Sequence, residues 1–210
     1  MKDLYIVGAG GFGREVAWLV ERINKTDKIW NIKGFIENKK ELIGSDINGY
    51  KIVGDNEYLK QQKNAYVVLA IGSSQRKKQI IEELKNCDLK FATLVDPSVI
   101  KSDLVNIGKG TIICAGTIIT VNANIGNFVT INLDCTVGHD AVINDYVTVY
   151  PSVNISGQTN IGECTEIGTG TQIIQGLSIS DNCIIGAGAV ITKNLTESGT
   201  YVGVPVKKIK

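Results

Sequence analysis

The chain has 210 residues, of which 43% are hydrophobic, with 22 Lys and Arg balanced against 21 Asp and Glu. A net charge of +1 supplies no field for nucleic acid or an anionic membrane surface, so neither is expected as a partner. The length fits one large or two small domains, and the longest apolar run, near residues 65–71, is far too short to span a bilayer.

The start, Met1-Lys2-Asp3-Leu4, leads straight into an apolar strand rather than a signal peptide. Leu4–Val7 reads as a buried strand, followed by Gly8-Ala9-Gly10-Gly11-Phe12-Gly13. A helix then carries apolar Val16, Trp18, Leu19, Val20 and Ile23 at mostly helical spacing. A second strand, about Ile32–Glu37, ends in an acidic residue, and a polar loop leads to a short helix near Asn56–Gln62. Tyr66–Ile71 is a third strand, Gly72-Ser73-Ser74 caps a helix to about Leu84, and Phe91–Val95 is a last strand. Strands alternating with helices predict a small parallel sheet, an α/β Rossmann-like half domain over residues 1–95.

From residue 96 to 210 the pattern changes. Fifteen consecutive six-residue units, from Ile107 to Ile191, each open with Ile or Val. The fifth place holds small or modest side chains such as Thr111, Ala123, Cys135, Ala141 and Ala189. Period six is the mark of a parallel β-solenoid of short strands and tight turns. Three hexads close one triangular coil, so residues eighteen apart in the sequence stack vertically. Five coils at the usual strand spacing give a prism about 24 Å tall. Each coil buries its aliphatics only against its neighbours, so the stack needs caps at both ends. Of the five cysteines, Cys135 and Cys183 take the inward fifth place, and no CxxC pair occurs. Reduced thiols and a cytoplasmic protein follow.

Gly8-x-Gly10-x-x-Gly13 follows a strand, opens a helix, and precedes Glu37 by about twenty residues, the context that a dinucleotide fingerprint requires. Bare backbone N–H groups and the helix dipole attract phosphate there. Only one mononucleotide-sized half is present, and a solenoid has no usual role in hydride transfer. The diphosphate of a nucleotide-linked sugar needs only that half, and is preferred over NAD. Glycines serving a tight turn alone are the bland alternative.

His139 is the only histidine in the chain. A trimeric solenoid carbonic anhydrase needs three on zinc, no thiolate cluster replaces them, and no metal is expected. A hydrolase elbow, Gly-x-Ser-x-Gly, is absent as well. In the hexad Val137-Gly138-His139-Asp140-Ala141-Val142, Val137 and Ala141 take the inward places, so the imidazole points outward at a corner. One coil further stands Gly157, which leaves room for a ligand and bares a backbone N–H. Asp140 is placed to bond the imidazole and fix its tautomer. A free imidazole, titrating near pH ~6.5, suits a general base at neutral pH. An ordinary surface histidine is the alternative reading.

The combination of Gly8–Glu15, Ala70-Ile71-Gly72, Val137-Gly138-His139-Asp140 and Gly203-Val204-Pro205 resembles the bacterial hexapeptide-repeat sugar acetyltransferases. That family includes nucleotide-linked amino-sugar N-acetyltransferases of the bacillosamine and perosamine type and sialic-acid O-acetyltransferases. The resemblance implies a left-handed β-helix, a homotrimer with sites between subunits, acetyl-CoA as donor, and an N-terminal domain holding the sugar nucleotide. By resemblance, His139 is the base and Asp140 its modulator. Gly10, Gly11, Phe12, Glu37, Asn38 and Gly72 line the nucleotide-sugar site, and Thr148, Thr169 and Ala187 contact acetyl-CoA. Phe12 and Thr148 stand where relatives carry histidines.

The reading is therefore an acetyl-CoA-dependent acetyltransferase acting on the amino group of a nucleotide-linked sugar in bacterial surface glycan synthesis. The acyl group passes directly, and a backbone N–H near Gly157 steadies the oxyanion. O-acetylation of sialic acid or another sugar hydroxyl is the runner-up. A non-catalytic sugar-nucleotide-binding solenoid is the alternative from another class.

Overall fold

A computed structural model describes all 210 residues of the chain. It divides into two compact units, Met1–Gly72 with Arg76–Pro97, and Ser73–Gln75 with Ser98–Lys210.

The first unit is built on strands β1 (Lys2–Val7), β2 (Trp30–Ile36), β3 (Asp46–Ile47), β4 (Tyr50–Gly54), β5 (Ala65–Leu69) and β6 (Leu89–Phe91). Its helices are α1 (Gly11–Thr26), α2 (Asn56–Lys60) and most of α3 (Ser74–Leu84), of which Ser74 and Gln75 group with the second unit. The strand order is β3-β4-β2-β1-β5-β6, parallel except for the β3–β4 hairpin. β1 pairs with β2 on one side and β5 on the other, so the chain reverses its direction of winding there. In open α/β sheets the crevice beyond the carboxyl ends of such strands receives ligands. Gly8, Glu37 and Gly72 all lie just past those ends.

Three local differences from the sequence reading have physical reasons. The loop after β2 contains the β3–β4 hairpin, turned by Asn48-Gly49 with φ of 52° and 85°. That dipeptide is a hairpin signal, but the first strand is only two residues long. The expected strand Phe91–Val95 is two short pieces, Leu89–Phe91 and Leu94–Val95. Trp18 lies off the buried face of α1 and is 47% exposed. At 3.6 residues per turn it points away from Val16 and Val20, two positions to either side. Arg22 packs its guanidinium 5.1 Å from the Trp18 ring and forms a bidentate ion pair with buried Asp96 at 2.6 and 2.9 Å.

The second unit is a parallel β-helix. Its two-residue strands pair with the strand eighteen residues on, as in Ile113 with Ile131, Val137 with Ile155 and Ile143 with Ile161. Every hexad opener from Ile113 to Ile191 is buried. The fifth-place threonines are buried too, and their hydroxyls are satisfied. Thr111, Thr117 and Thr165 donate to the carbonyls of Gly126, Asn132 and Ser180 in the next coil, at 2.8, 3.1 and 3.0 Å. A hydroxyl there fills a small space and also ties successive coils together.

The fourth residue of each hexad has positive φ, from Gly110 at 70° through Asn122, Asp140 and Gln158 to Gly188 at 68°. A tight corner needs one left-handed residue, which Gly, Asn and Asp adopt at least cost. Gly199–Val202 and Lys207–Lys208 close the far end as an antiparallel pair, with the Tyr201 hydroxyl donating to the Glu197 carbonyl at 2.7 Å. No helix of the chain is long and apolar enough to cross a membrane.

Because each coil buries its apolar side chains only against the next, one deletion in mid-stack leaves a hole that no other layer fills. Ile161, fully buried, tests this. Ile161→Ala is expected to lower unfolding free energy by about 2–5 kcal/mol, measured as a reduced denaturant midpoint at unchanged slope.

Candidate active site and nucleotide crevice

His139 sits in the turn between the strands Thr136–Val137 and Val142–Ile143. Val137 and Ala141 are fully buried on either side, which forces the residue between them to face out. The backbone is clamped from both neighbouring coils. The Gln158 N–H donates to the His139 carbonyl at 2.8 Å, and the Asp140 N–H donates to the Val121 carbonyl at 3.1 Å.

The imidazole Nδ1 lies 2.8 Å from Asp140 Oδ2, with both side chains about half exposed. A carboxylate accepts only, so this contact selects the tautomer with hydrogen on Nδ1 and leaves a lone pair on Nε2. Hydrogen bonds from His139 first, and then from the Asn122 amide at 3.3 Å, hold the Asp140 carboxyl below its ordinary value. The ring lies flat over Gly157. A Cβ on that residue would come within 2.6 Å of Nε2 and 2.7 Å of Cε1. The Gly157 carbonyl accepts from the Gly176 N–H at 3.0 Å, while its own N–H donates to no protein acceptor. The Nε2 lone pair and the bare Gly157 backbone therefore meet at one corner, in successive coils.

In the first unit, α1 begins at Gly11 with no side chain capping its N-terminus, so its first N–H groups stay available. The glycines divide the work. A Cβ on Gly13 would overlap the Gly8 carbonyl, whereas one on Gly10 would meet nothing within 4 Å. Gly13 permits the close strand–helix approach, Gly8 the close approach to Ala70 and Ile71 after β5, and Gly10 and Gly11 are the open part of the loop. Beside it is a crevice of about 140 Å³ lined by Gly8, Glu37, Asn38, Asn56 and Arg76, among others. The Asn38 side-chain oxygen accepts from the Asn56 N–H at 3.1 Å, and Asn56 donates to Glu83 at 2.9 Å.

Residues 3–84 match the family model of the PglD N-terminal domain. The solved structure of WeeI from Acinetobacter baumannii AYE is 30% identical, with a TM-score of 0.89 and 100% of both chains covered. The chain belongs to the bacterial hexapeptide-repeat sugar acetyltransferases. Its solenoid is the left-handed β-helix of that family. The acetyltransferase domain of PglB from Neisseria gonorrhoeae FA1090, solved in complex with acetyl coenzyme A, is 28% identical with a TM-score of 0.91 over 99% of each chain. GDP-perosamine N-acetyltransferase of Escherichia coli O157:H7 is 31% identical over 134 residues, which span 62% of this chain and 60% of that enzyme.

For an acetyltransferase of this family, the structure sorts the candidate residues unevenly. Glu37 and Asn38 share one crevice with Gly8. Gly10, Gly11, half-buried Phe12 and Gly72 are not part of its lining. Asn56 and Arg76, which are, were not expected from the sequence. His139, Asp140 and Gly157 form one cluster. Thr169 and Ala187 are exposed and stacked, with the Gly188 N–H bonded to the Thr169 carbonyl at 2.8 Å. They occupy a different corner from His139, the turns that follow Glu166–Ile167 and Cys183–Ile185. Thr148 is only 1% exposed, with its hydroxyl 3.4 Å from that of buried Ser74. A donor cannot reach it, so the expected contact there is withdrawn. No group of three or more His, Cys, Asp or Glu side chains gathers as a metal site would require.

The bare Gly157 backbone is the geometric condition for the ring position. Gly157→Ala is expected to push the half-exposed imidazole aside at little cost in stability. A displacement near 1 Å would lower acetyl transfer by about a hundredfold. Thermal melting beside a thiol-release assay checks both halves of that expectation.

Proposed function

We propose that the protein transfers an acetyl group from acetyl-CoA to the amine of a nucleotide-linked amino sugar, as a cytoplasmic homotrimer serving bacterial surface glycan synthesis. The observation that carries this reading is the His139 ring, held by Asp140 through Nδ1 at 2.8 Å with its Nε2 over bare Gly157. The named activities of the relatives support the chemistry, since one is an N-acetyltransferase of GDP-perosamine and another is solved with acetyl coenzyme A.

In the proposed mechanism, residues 1–95 hold the sugar nucleotide. Its diphosphate lies at the open Gly10–Gly11 end of α1, with Phe12 and Gly72 beside it and Glu37 and Asn38 in the neighbouring crevice. Thr169 and Ala187 line the groove for acetyl-CoA along the solenoid. They and His139 occupy different corners of one chain, and a threefold assembly sets one corner of each subunit against another corner of the next. The sugar amine attacks the thioester carbonyl carbon while Nε2 takes the amine proton. The C–N bond forms, the Gly157 N–H receives the oxyanion, and collapse breaks the C–S bond. The thiolate leaves and takes the proton back from the imidazolium, so no acyl-enzyme is formed.

The test is release of CoA thiol from acetyl-CoA in the presence of a panel of nucleotide-linked amino sugars. His139→Ala is expected to lower kcat by about 10²–10⁴-fold with the oligomer and CoA binding intact. A variant keeping more than a tenth of the rate would remove His139 from the role of base.

A further inference from the structure

Two turns carry the His139 cluster, and the lower one contains a residue whose only side-chain partner is Asp140. Asn122 stands eighteen positions before Asp140, so the two occupy the same corner in successive coils. Both adopt the left-handed conformation, with φ of 59° each. The Asn122 Nδ2 donates to Asp140 Oδ1 at 3.3 Å, while Asp140 Oδ2 faces the imidazole Nδ1 at 2.8 Å. One carboxylate is thus gripped by a different oxygen on each side.

We infer that Asn122 is a positioning residue for the proposed acetyl transfer, acting through Asp140 to fix the tautomer and direction of His139. This rests on the reading of His139 as the base. A carboxylate bonded on one side alone turns freely about its Cβ–Cγ bond, and either oxygen, or water, can then face the ring. The second bond removes that freedom, which is how an outer partner orients an inner one. Backbone geometry supports the same assignment. The Asp140 N–H is tied to the Val121 carbonyl at 3.1 Å, so the main chains of the two corners keep a fixed separation and the amide reaches the carboxylate without moving either coil. The Asn122 carbonyl accepts from Asn124 Nδ2 at 3.5 Å, a further brace on the lower turn. Neutral character is part of the role. The side-chain partners of the Asp140 carboxylate are the imidazole and the Asn122 amide, and an amide adds a donor there without a competing charge.

The chain offers a clean probe, because His139 is its one histidine and gives a single set of imidazole nitrogen resonances. Asn122→Gly removes the amide while suiting the left-handed corner, so folding is not the variable. In the wild-type protein at neutral pH, the nitrogen shifts should report hydrogen mainly on Nδ1. In Asn122→Gly that preference should weaken toward the Nε2–H form favoured by an unconstrained histidine side chain. Loss of one such hydrogen bond predicts a fall in kcat of about three- to tenfold, with KM for acetyl-CoA unchanged. Asn122→Gln, one methylene longer and able to keep the donor, should restore part of both signals. An unchanged tautomer ratio in Asn122→Gly overturns the inference, whatever the rate. An active His139→Ala overturns the reading of the base instead, and the nitrogen shifts still report whether Asn122 holds the ring.

Discussion

Vertical main-chain hydrogen bonding between coils is the constraint on which the second unit depends. Most of its strands are two residues long, too short to fix a direction by themselves. Paired eighteen residues up and down, the same strands form continuous ladders, and the inward Ile and Val columns seal the prism behind them. Because the ladder fixes each corner over the one below, a side chain at a turn is set by bonds two coils deep. The His139 carbonyl and the Asp140 N–H are both used in this way. An exposed imidazole can therefore be held in one place without being buried, and it keeps access to solvent and ligand.

The first unit meets a different demand with different means. Its crevice lies where the winding of the sheet reverses, and the glycines let β1 and α1 meet at van der Waals distance. A loop of ordinary residues would separate strand from helix and cover the N–H groups that the open end of α1 leaves bare. Here packing comes first, and the anion-binding potential is a result of it.

Much of this was legible in the residues. A hydrophobic period of six admits one architecture, so the inward columns could be named before any coordinates. His139 stood out by being alone, and Gly157 by lying one coil away. Other features were hidden for definite reasons. Thr148 occupies an outward position by period, but it and the outward Ile112 and Thr130 before it in the same column are buried, while Ile184 further along is exposed, and spacing does not reveal which stretch of a prism face is covered. Trp18 looked apolar enough for the core, and only its angle around α1 shows otherwise. Asn122 carries no signal by itself. It acquires one only when Asp140 is placed above it, which requires knowing that the bond runs between side chains rather than to water.

The solenoid also works as a ruler. Every eighteen residues advance the axis by one step of about 4.8 Å, and the corner geometry repeats at each level. Inserting or deleting a whole coil between Gly157 and the closing pair at Gly199–Val202 would lengthen or shorten the prism beyond the imidazole while leaving the ring's own surroundings untouched. An acetyltransferase of this architecture can thus gain or lose reach in fixed increments, and the His139 corner is insulated from the change by the regularity that built it.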